Sequence, residues 1–511
     1  MADAAHKTYR FAGIAIKPGF TRFNYFFLFF NTLLIGMFMS VPAIVQPAFM
    51  REVIGINPEF AGSINSFLQN MSQLATLAFV ALIGALSDRT GRRILIIAGF
   101  CLLFVFFYLF QSAGAVAAAL GIPADAAARI CALLSFAPGR AAEFSAFAPG
   151  LLAAYCIRFF IGFAMILAYP QFITMVGDYS GQTDRGRAMA LNGMAMGLSG
   201  IIVYSCLPMI MQRSGVIAAL DAVIILAGIG ALLTAFFLKD NMPPKPAART
   251  GLMAVVPVLK SSRALRASYL CALVTRADIA VMSTYILTWG VNTGIARGLE
   301  PGAATSLAKW PILIITITSL VCFPCIGILL DKKGRVFTLL LSISFSAIAM
   351  LLVALAPDPF SPLCYIAAVL AGFGMSGSIA GANTLAIDAS PAGMSGSVMG
   401  GLNTMQPIGI LLFLGLGGYL FDTVGPYMPF VIKASASIAL AAWMFAVRGA
   451  LVRELRPVFT MIWEDEARRH VLSLAGSERV LAIERIESYA RSQGLDRITG
   501  QICGDLPASR A

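Results

Sequence analysis

Charged side chains are scarce in this chain. They make up 12% of its 511 residues, while 59% are hydrophobic, against about 25% charged and about 45–50% apolar in soluble domains. So few charges cannot cover a water-soluble surface, and large soluble domains are excluded. Histidine is almost missing, with two residues, both outside the apolar runs, and no cluster of carboxylates exists to hold a metal ion. No segment has the form GxxxxGK[ST], so ATP is not used directly, and no cofactor is expected. Ser/His/Asp and Cys/His constellations are missing from the apolar runs, which argues against a membrane enzyme. Nine cysteines, most of them within those runs, offer no paired extracellular framework and read as reduced small hydrophobes. Cys322 and Cys325 form a CFPC segment that reads as packing around a kink at Pro324. A removable signal peptide is not expected, because Lys7, Arg10, Lys17 and Arg22 precede an apolar run too long for one.

What the chain does have is apolar length. Mean hydropathy is +0.82, and twelve runs are long enough to cross about 30 Å of hydrocarbon at about 20 residues each. They centre near residues 35, 75, 102, 163, 199, 227, 278, 320, 346, 374, 409 and 436. The expectation is an all-α membrane protein with twelve transmembrane helices. Lysine and arginine crowd the loops on the side of the N-terminus, which places both termini in the cytoplasm. The net charge of +12 is that inside bias facing anionic lipid, and needs no nucleic-acid partner.

The segment GALSDRTGRR, Gly84 to Arg93, returns in degenerate form as GILLDKKGR, Gly327 to Arg335, each copy between two apolar runs. A short loop with a carboxylate, fixed cations and two glycines, once per half, resembles the loop between helices 2 and 3 of the major facilitator superfamily. The resemblance covers residues 20 to 447. It implies two pseudo-symmetric six-helix bundles, a site at mid-membrane between them, and alternating access. Gly84 and Gly91 permit close approach and a tight turn. Asp88, followed by Arg89, could cap a neighbouring helix N-terminus and act as a latch. In the family that acid docks on the opposite half, and the last arginines contact an acid at the inner end of helix 4. Arg92 and Asp178 occupy those places, with Arg185 and Arg187 in the loop that follows. The second copy, with Asp331, Gly334 and Arg335, lacks the final arginine pair and implies a weaker latch.

Asp178 matches Asp388, and Leu191, Asn192 and Met194 match Leu402, Asn403 and Met405, at a shorter spacing than the two signature loops. The first half therefore holds an insertion between helices 3 and 4, residues 112–150, expected on the outer face with at best a short apolar helix around Ala126 to Phe136. The resulting division is a cytoplasmic N-terminal segment at 1–22, a first bundle at 23–238, a basic linker at 239–266, a second bundle at 267–447 and a cytoplasmic tail at 448–511. In the tail, Ser477 and Glu478 would start a helix ending near Gly494, with Val480, Ile483, Ile486 and Tyr489 as an apolar stripe laid against the inner face.

Arginine in hydrocarbon costs upward of about 2.5 kcal/mol and is a functional candidate by default. Arg158 precedes Gly162 by four residues, resembling the family's Arg-x-x-x-Gly pattern, and shares a helix face with Gly162 and Tyr169. It either serves the substrate or bonds neighbouring backbone carbonyls. Gly193, Gly197 and Gly200 imply close packing, and the absence of the proline found in the antiporter version counts against drug:proton exchange. Arg276 and Asp278 lie about 13 and about 16 Å in from a helix end near residue 267. Two positions is about 200° of rotation, so they look in different directions. Asp278, Tyr285, Trp289 and Asn292 share a face assigned to the central cavity, whereas Arg276 meets a neighbouring helix or reaches toward substrate. Asp278 is the proton-coupling candidate, since desolvation penalises its charged form; the alternative is that it neutralises an arginine from another helix. Asn65, Gln69 and Gln73, joined by Asn31, Asn192, Asn383, Asn403 and Gln406, line the cavity or bond between helices.

These residues point to a secondary active transporter of a small organic anion, coupled to protons, monomeric, in the plasma (inner) membrane, with substrate and lipid as partners. Efflux of amphipathic drug-like compounds by proton antiport is the alternative, and a non-transporting receptor or scaffold the second. The topology is testable: single cysteines at Ala141 and Ala247, in a background without native thiols, should label from opposite sides, Ala141 from outside. Labelling of both from one side overturns the twelve-span count.

Overall fold

The computed structural model describes residues 10–12, 14–17, 19–180, 185–240, 255–391, 394–455, 459–472, 474, 476–500 and 502. A two-stranded hairpin, β1 (Arg10–Phe11) and β2 (Ile14–Ala15), leads into α1 (Arg22–Phe49), α2 (Ala61–Thr90), α3 (Arg92–Gln111), the short α4 (Ala113–Ala119) and α5 (Ala124–Leu134), then α6 (Ala148–Tyr179) and α7 (Arg185–Phe237). The second half runs through α8 (Val255–Ser261), α9 (Arg263–Thr275), α10 (Asp278–Ala296), α11 (Pro301–Ala308), α12 (Trp310–Lys332), α13 (Arg335–Ala354), α14 (Pro362–Asp388), α15 (Ser395–Thr423) and α16 (Met428–Leu455). A tail follows, with β3 (Ile462–Trp463), α17 (Asp465–Leu472), α18 (Gly476–Ser492) and β4 (Arg497–Ile498).

Ten helical stretches among the described residues are long and apolar enough to cross a membrane. One of them, within α7, is too long for a single crossing. The 53 residues of α7 would measure about 80 Å, well over twice the hydrocarbon thickness, and the run turns at Gly215, where φ is 85°. α2 has 30 residues but carries Ser63, Asn65, Ser66, Gln69, Asn70 and Gln73, so its apolar character is diluted along its first half.

Within the first half α1 packs on α7, and α6 on α2 and α3; within the second, α14 packs on α12 and α13, and α13 on α16. The halves meet mainly where α15 lies against α2 and where α11 and α12 lie against α7. The named polar contacts across that boundary fall toward the end of the bundle that carries α4 and α5. Both carboxylate oxygens of Asp422, at the end of α15, accept hydrogen bonds from the start of α2: Gly62 N–H at 2.7 Å, Ser63 N–H at 2.7 Å, and the Ser63 hydroxyl. Asn70 donates to Leu411 O at 3.3 Å, and Lys309 Nζ to Ser205 O at 3.4 Å. At the opposite end, a Cβ on Gly84 or Gly327 would meet nothing within 4 Å. The close backbone approach expected of Gly84 is therefore not made in this conformation.

The insertion folds over the closed end. Its apolar helix is α5, starting two residues before the expected Ala126, and Phe136 beyond it packs edge-on against Tyr419 of α15 at 5.6 Å between ring centroids. Arg140 pairs with Glu59 and Glu143 and lies 4.6 Å over the Phe60 ring. At the other end the N-terminal hairpin is tied to α6, with Lys17 N–H donating to Tyr179 O at 3.1 Å and Ile16 bridging Ser180. The helix that spans residue 267 starts at Arg263. Ser262 Oγ accepts from Leu265 N–H at 3.0 Å, and Glu454 accepts from Arg263 and Ala264 N–H at 3.1 and 3.2 Å, which satisfies the first turn of α9 from Arg263 onward. Ala247 lies outside the described residues.

The tail is a small unit of its own, with β3 and β4 parallel and α17 and α18 between them around Ala467, Val471, Ile483, Ile486 and Ile498. α18 contacts α8, α9 and α16. Tyr489 is 42% exposed, so the expected stripe narrows to its isoleucines; the Val480 side chain lies outside the described residues. Glu487 is buried and accepts from Thr460 N–H at 2.7 Å, Trp463 Nε1–H at 3.0 Å and Met461 N–H at 3.3 Å. Burial alone would push this carboxyl up, but those hydrogen bonds hold it below the usual glutamate range. A depressed folded value means that its stabilisation is complete above the unfolded value and lost as pH falls through the folded one. Glu487→Gln should therefore loosen the tail by about 1–3 kcal/mol at neutral pH and flatten its acid sensitivity, read as faster proteolysis within 459–502. Unchanged cleavage rates across pH in both proteins would refute this.

Candidate functional site

Helix seven of the expected twelve is built from two pieces. α9 closes with Arg276 N–H on Ala272 O at 3.3 Å and α10 opens with Val281 N–H on Ala277 O at 2.9 Å, leaving a break at Arg276–Ala277 part-way along a single apolar stretch, Arg263–Ala296. Irregular backbone at membrane depth is tolerated where it is buried in protein or lines a cavity. Arg276, 8% exposed, donates from Nη1 to Asn403 Oδ1 at 2.7 Å and from Nη2 to Asn383 Oδ1. Its Nε has no hydrogen-bond partner among the described residues. Its two terminal nitrogens are thus held by neighbouring helices, α14 and α15.

Asp278 points elsewhere. Its Oδ1 pairs with Lys433 Nζ of α16 and its Oδ2 accepts from the Ser346 hydroxyl of α13, so it faces the interior of the second half. The cavity face assigned to Asp278, Tyr285, Trp289 and Asn292 is thus divided. A carboxylate in a low-dielectric interior follows the nearest cation, and Lys433 is 0% exposed. The partner of Asp278 is a lysine rather than an arginine. Lys433 was visible in the apolar run PFVIKASASIAL as a charge out of place, but nothing local named its partner. Tyr285 does lie at the junction of the halves, donating to Leu414 O at 2.6 Å and 3.1 Å from Ser66 Oγ of α2. Trp289 and Asn292 are half-buried without polar contacts among the described residues.

On the first half, Arg158 is 5% exposed and donates from Nη2 to Gln69 Oε1 at 3.0 Å, a side-chain partner in place of the backbone carbonyls considered. Its own carbonyl accepts from Ser72 Oγ at 3.2 Å. Gly162 permits this crossing, since a Cβ there would come 2.6 Å from Ser72 Cα. Arg158 Nε is also unpartnered. Gln73 and Gln406 are half-buried with no polar contact among the described residues. Asn65 is occupied structurally, accepting from Gln46 Nε2 at 3.0 Å, and Asn31 bonds back to Phe27 O at 3.0 Å. Buried Asn192 leaves its Oδ1 without a partner.

The two signature loops are built alike. Gly91 and Gly334 each adopt φ of 91°, a conformation that side chains rarely take, and each opens the next helix. The following arginines meet matched acids: Arg92 with Asp178, and Arg335 with Asp388 at 2.9 Å. The side chains of Asp88, Arg89, Arg185 and Asp331 lie outside the described residues; Arg187 is exposed. Two acids escaped the sequence reading. Asp240 accepts from Arg92 and Arg93 N–H at 3.0 and 2.9 Å, capping α3, and Asp422 caps α2 across the halves. Their only signal is an acid just past, or at the end of, an apolar run.

The Major Facilitator Superfamily model matches residues 28–303 and again 277–482. The magnetosome protein MamH of Paramagnetospirillum magneticum is 28% identical over 431 residues, 84% of this chain and 93% of that protein. Magnetosome protein MamZ of the same organism is 26% identical over 83% of this chain, which spans 63% of MamZ. Among solved structures, the nucleoside transporter NupG superposes with a TM-score of 0.60 at 12% identity, covering 83% of this chain and 99% of NupG, a likeness of fold alone. With a family model matched over both halves, the chain belongs to the Major Facilitator Superfamily and is a multi-pass membrane transporter, not an enzyme.

Proposed function

We propose that this transporter moves a small organic anion by alternating access, coupled to protons, as a monomer of twelve spans with both termini cytoplasmic. α7 counts as two spans about Gly215, α2 as one, and the pairs α9 with α10 and α11 with α12 as one each. The domain division is retained, with the second bundle starting at Arg263, and residence is in the plasma (inner) membrane. The names of MamH and MamZ make the magnetosome membrane a second compartment in which to look for it.

One observation carries the anionic substrate: Arg158 and Arg276 are both buried and, among the described residues, have only uncharged side-chain acceptors and an unpartnered Nε each. Burying two such cations is costly, and an anion between the halves would offset it. A broken helix at mid-membrane is the usual place for such a site in transporters. Among the amphipathic drug-like compounds of the efflux alternative, a cationic one would meet two like charges there. Substrate contacts are assigned to Arg158, Arg276, Gln69 and Asn403, with Tyr285, Trp289, Asn292, Gln73 and Gln406 around them. Proton coupling is assigned to Asp278, with Lys433 as the group released when the carboxylate takes a proton.

The bonds of Asp422 to the N-terminus of α2 support reading this conformation as inward-open in the proposed orientation. Asp88, at the other end of α2, is the counterpart latch for the opposite state. A carboxylate at a helix N-terminus contributes about 0.3–1 kcal/mol, and about 2 when partly buried. Asp422→Asn should thus shift the population toward outward-open by up to about thirtyfold, and Asp88→Asn should shift it inward, read from cysteine accessibility at the two ends. Shifts in the same direction would sink the two-latch scheme.

Breaking a buried pair costs about 3–5 kcal/mol, whereas replacing both partners is often neutral. Asp278→Asn alone should therefore express poorly, and Asp278→Asn with Lys433→Met should recover folding. That double variant should lose gradient-driven accumulation but keep exchange at equilibrium. Arg158→Gln should abolish binding of the anionic substrate. Retention of full coupling by a well-folded double variant would show the pair to be structural.

A further inference from the structure

A furrow of about 1370 Å³ runs between α13 and α16 on the outside of the second half. Its floor is made by small residues, Ala441, Ala442 and Gly449, and its rim by Phe337, Ile438 and Phe445, which are about half exposed. Along α13 it extends from Arg335 to Ile348, about 20 Å at the helical rise. That is the distance from headgroup level to somewhat past the bilayer middle.

Charge is confined to one end. Lys333, Arg335 and Arg448 line the mouth toward the start of α13 and the last turns of α16, together with one acid, Asp388. Arg335 is engaged by Asp388, but Lys333 and Arg448 have no carboxylate partner among the described residues. The Arg448 guanidinium lies 3.7 Å over the Phe445 ring, which holds it above the furrow rather than free in solvent. Two cations without acids at the head of an apolar channel of this length fit an amphiphile with an anionic head and long acyl chains. A furrow open sideways to hydrocarbon does not suit a soluble anion.

We infer that the α13–α16 furrow is a specific site for a diacyl anionic phospholipid of the cytoplasmic leaflet, its phosphate between Lys333 and Arg448 and one chain along Ala441 and Ala442. Basic pockets between transmembrane helices on that side are suited to such headgroups. The leaflet rests on the orientation proposed above; the headgroup preference does not. Because Arg335 borders the mouth, the lipid sits against the second signature loop.

The test is native mass spectrometry of the full chain in detergent, with phosphatidylglycerol and phosphatidylcholine of identical chains supplied together. The wild type should retain one phosphatidylglycerol in at least about tenfold preference. Lys333→Gln with Arg448→Gln should abolish that preference. Ala441→Phe, which fills the floor while leaving the charges, should lower retention of the lipid itself, and glycerol phosphate should not displace it. Equal retention of the two lipids by the wild type, unchanged preference in the charge variant, or displacement by glycerol phosphate would each overturn the assignment. The readout is lipid retention, so its failure leaves the transport reading intact, and failure of the orientation would appear only in cysteine labelling.

Discussion

Hydrocarbon offers no water to a charge, so every ionic group placed in it must find its partner inside the protein. The middle of this molecule is arranged by that constraint. Asp278 and Lys433 neutralise each other and tie α10 to α16 through a contact that leaves both buried. Arg276 is caged by two asparagines of α14 and α15, and Arg158 by one glutamine of α2. The difference between the pair and the two arginines is the source of the functional reading: one charge is settled, and two are satisfied only in part.

The same physics operates at helix ends. Unpaired N–H groups at a helix start attract a carboxylate, and three such acids serve different purposes. Asp240 and Glu454 close helices within a half, on α3 and α9 respectively. Asp422 closes α2 from the other half, and so joins the two halves. The interaction is modest in size and lies at one end of the bundle.

Pseudo-symmetry extends to backbone detail. The glycines that open α3 and α13 share the same φ, and the arginine after each meets an acid at the end of α6 or α14. Departures from symmetry mark what is particular to this chain. The insertion bridges the halves through Phe136 and Tyr419, and the furrow beside the second signature loop carries three cations against one acid, Asp388, which is engaged by Arg335.

The class of protein, its duplication, the signature turns and the misplaced charges were legible in the sequence because they depend on composition, local conformation and repetition. So was the divergence of Arg276 and Asp278, which follows from helical rotation alone. What each charge faces was not legible. Asp278 and Lys433 are 155 positions apart, and Arg276 and Asn403 are separated by 127, with nothing along the chain to indicate proximity. The break between α9 and α10 and the capping of α2 by Asp422 also awaited the folded state. A buried charge is governed by distance in three dimensions and by the polarity of whatever surrounds it, and only the packing of the two halves sets both.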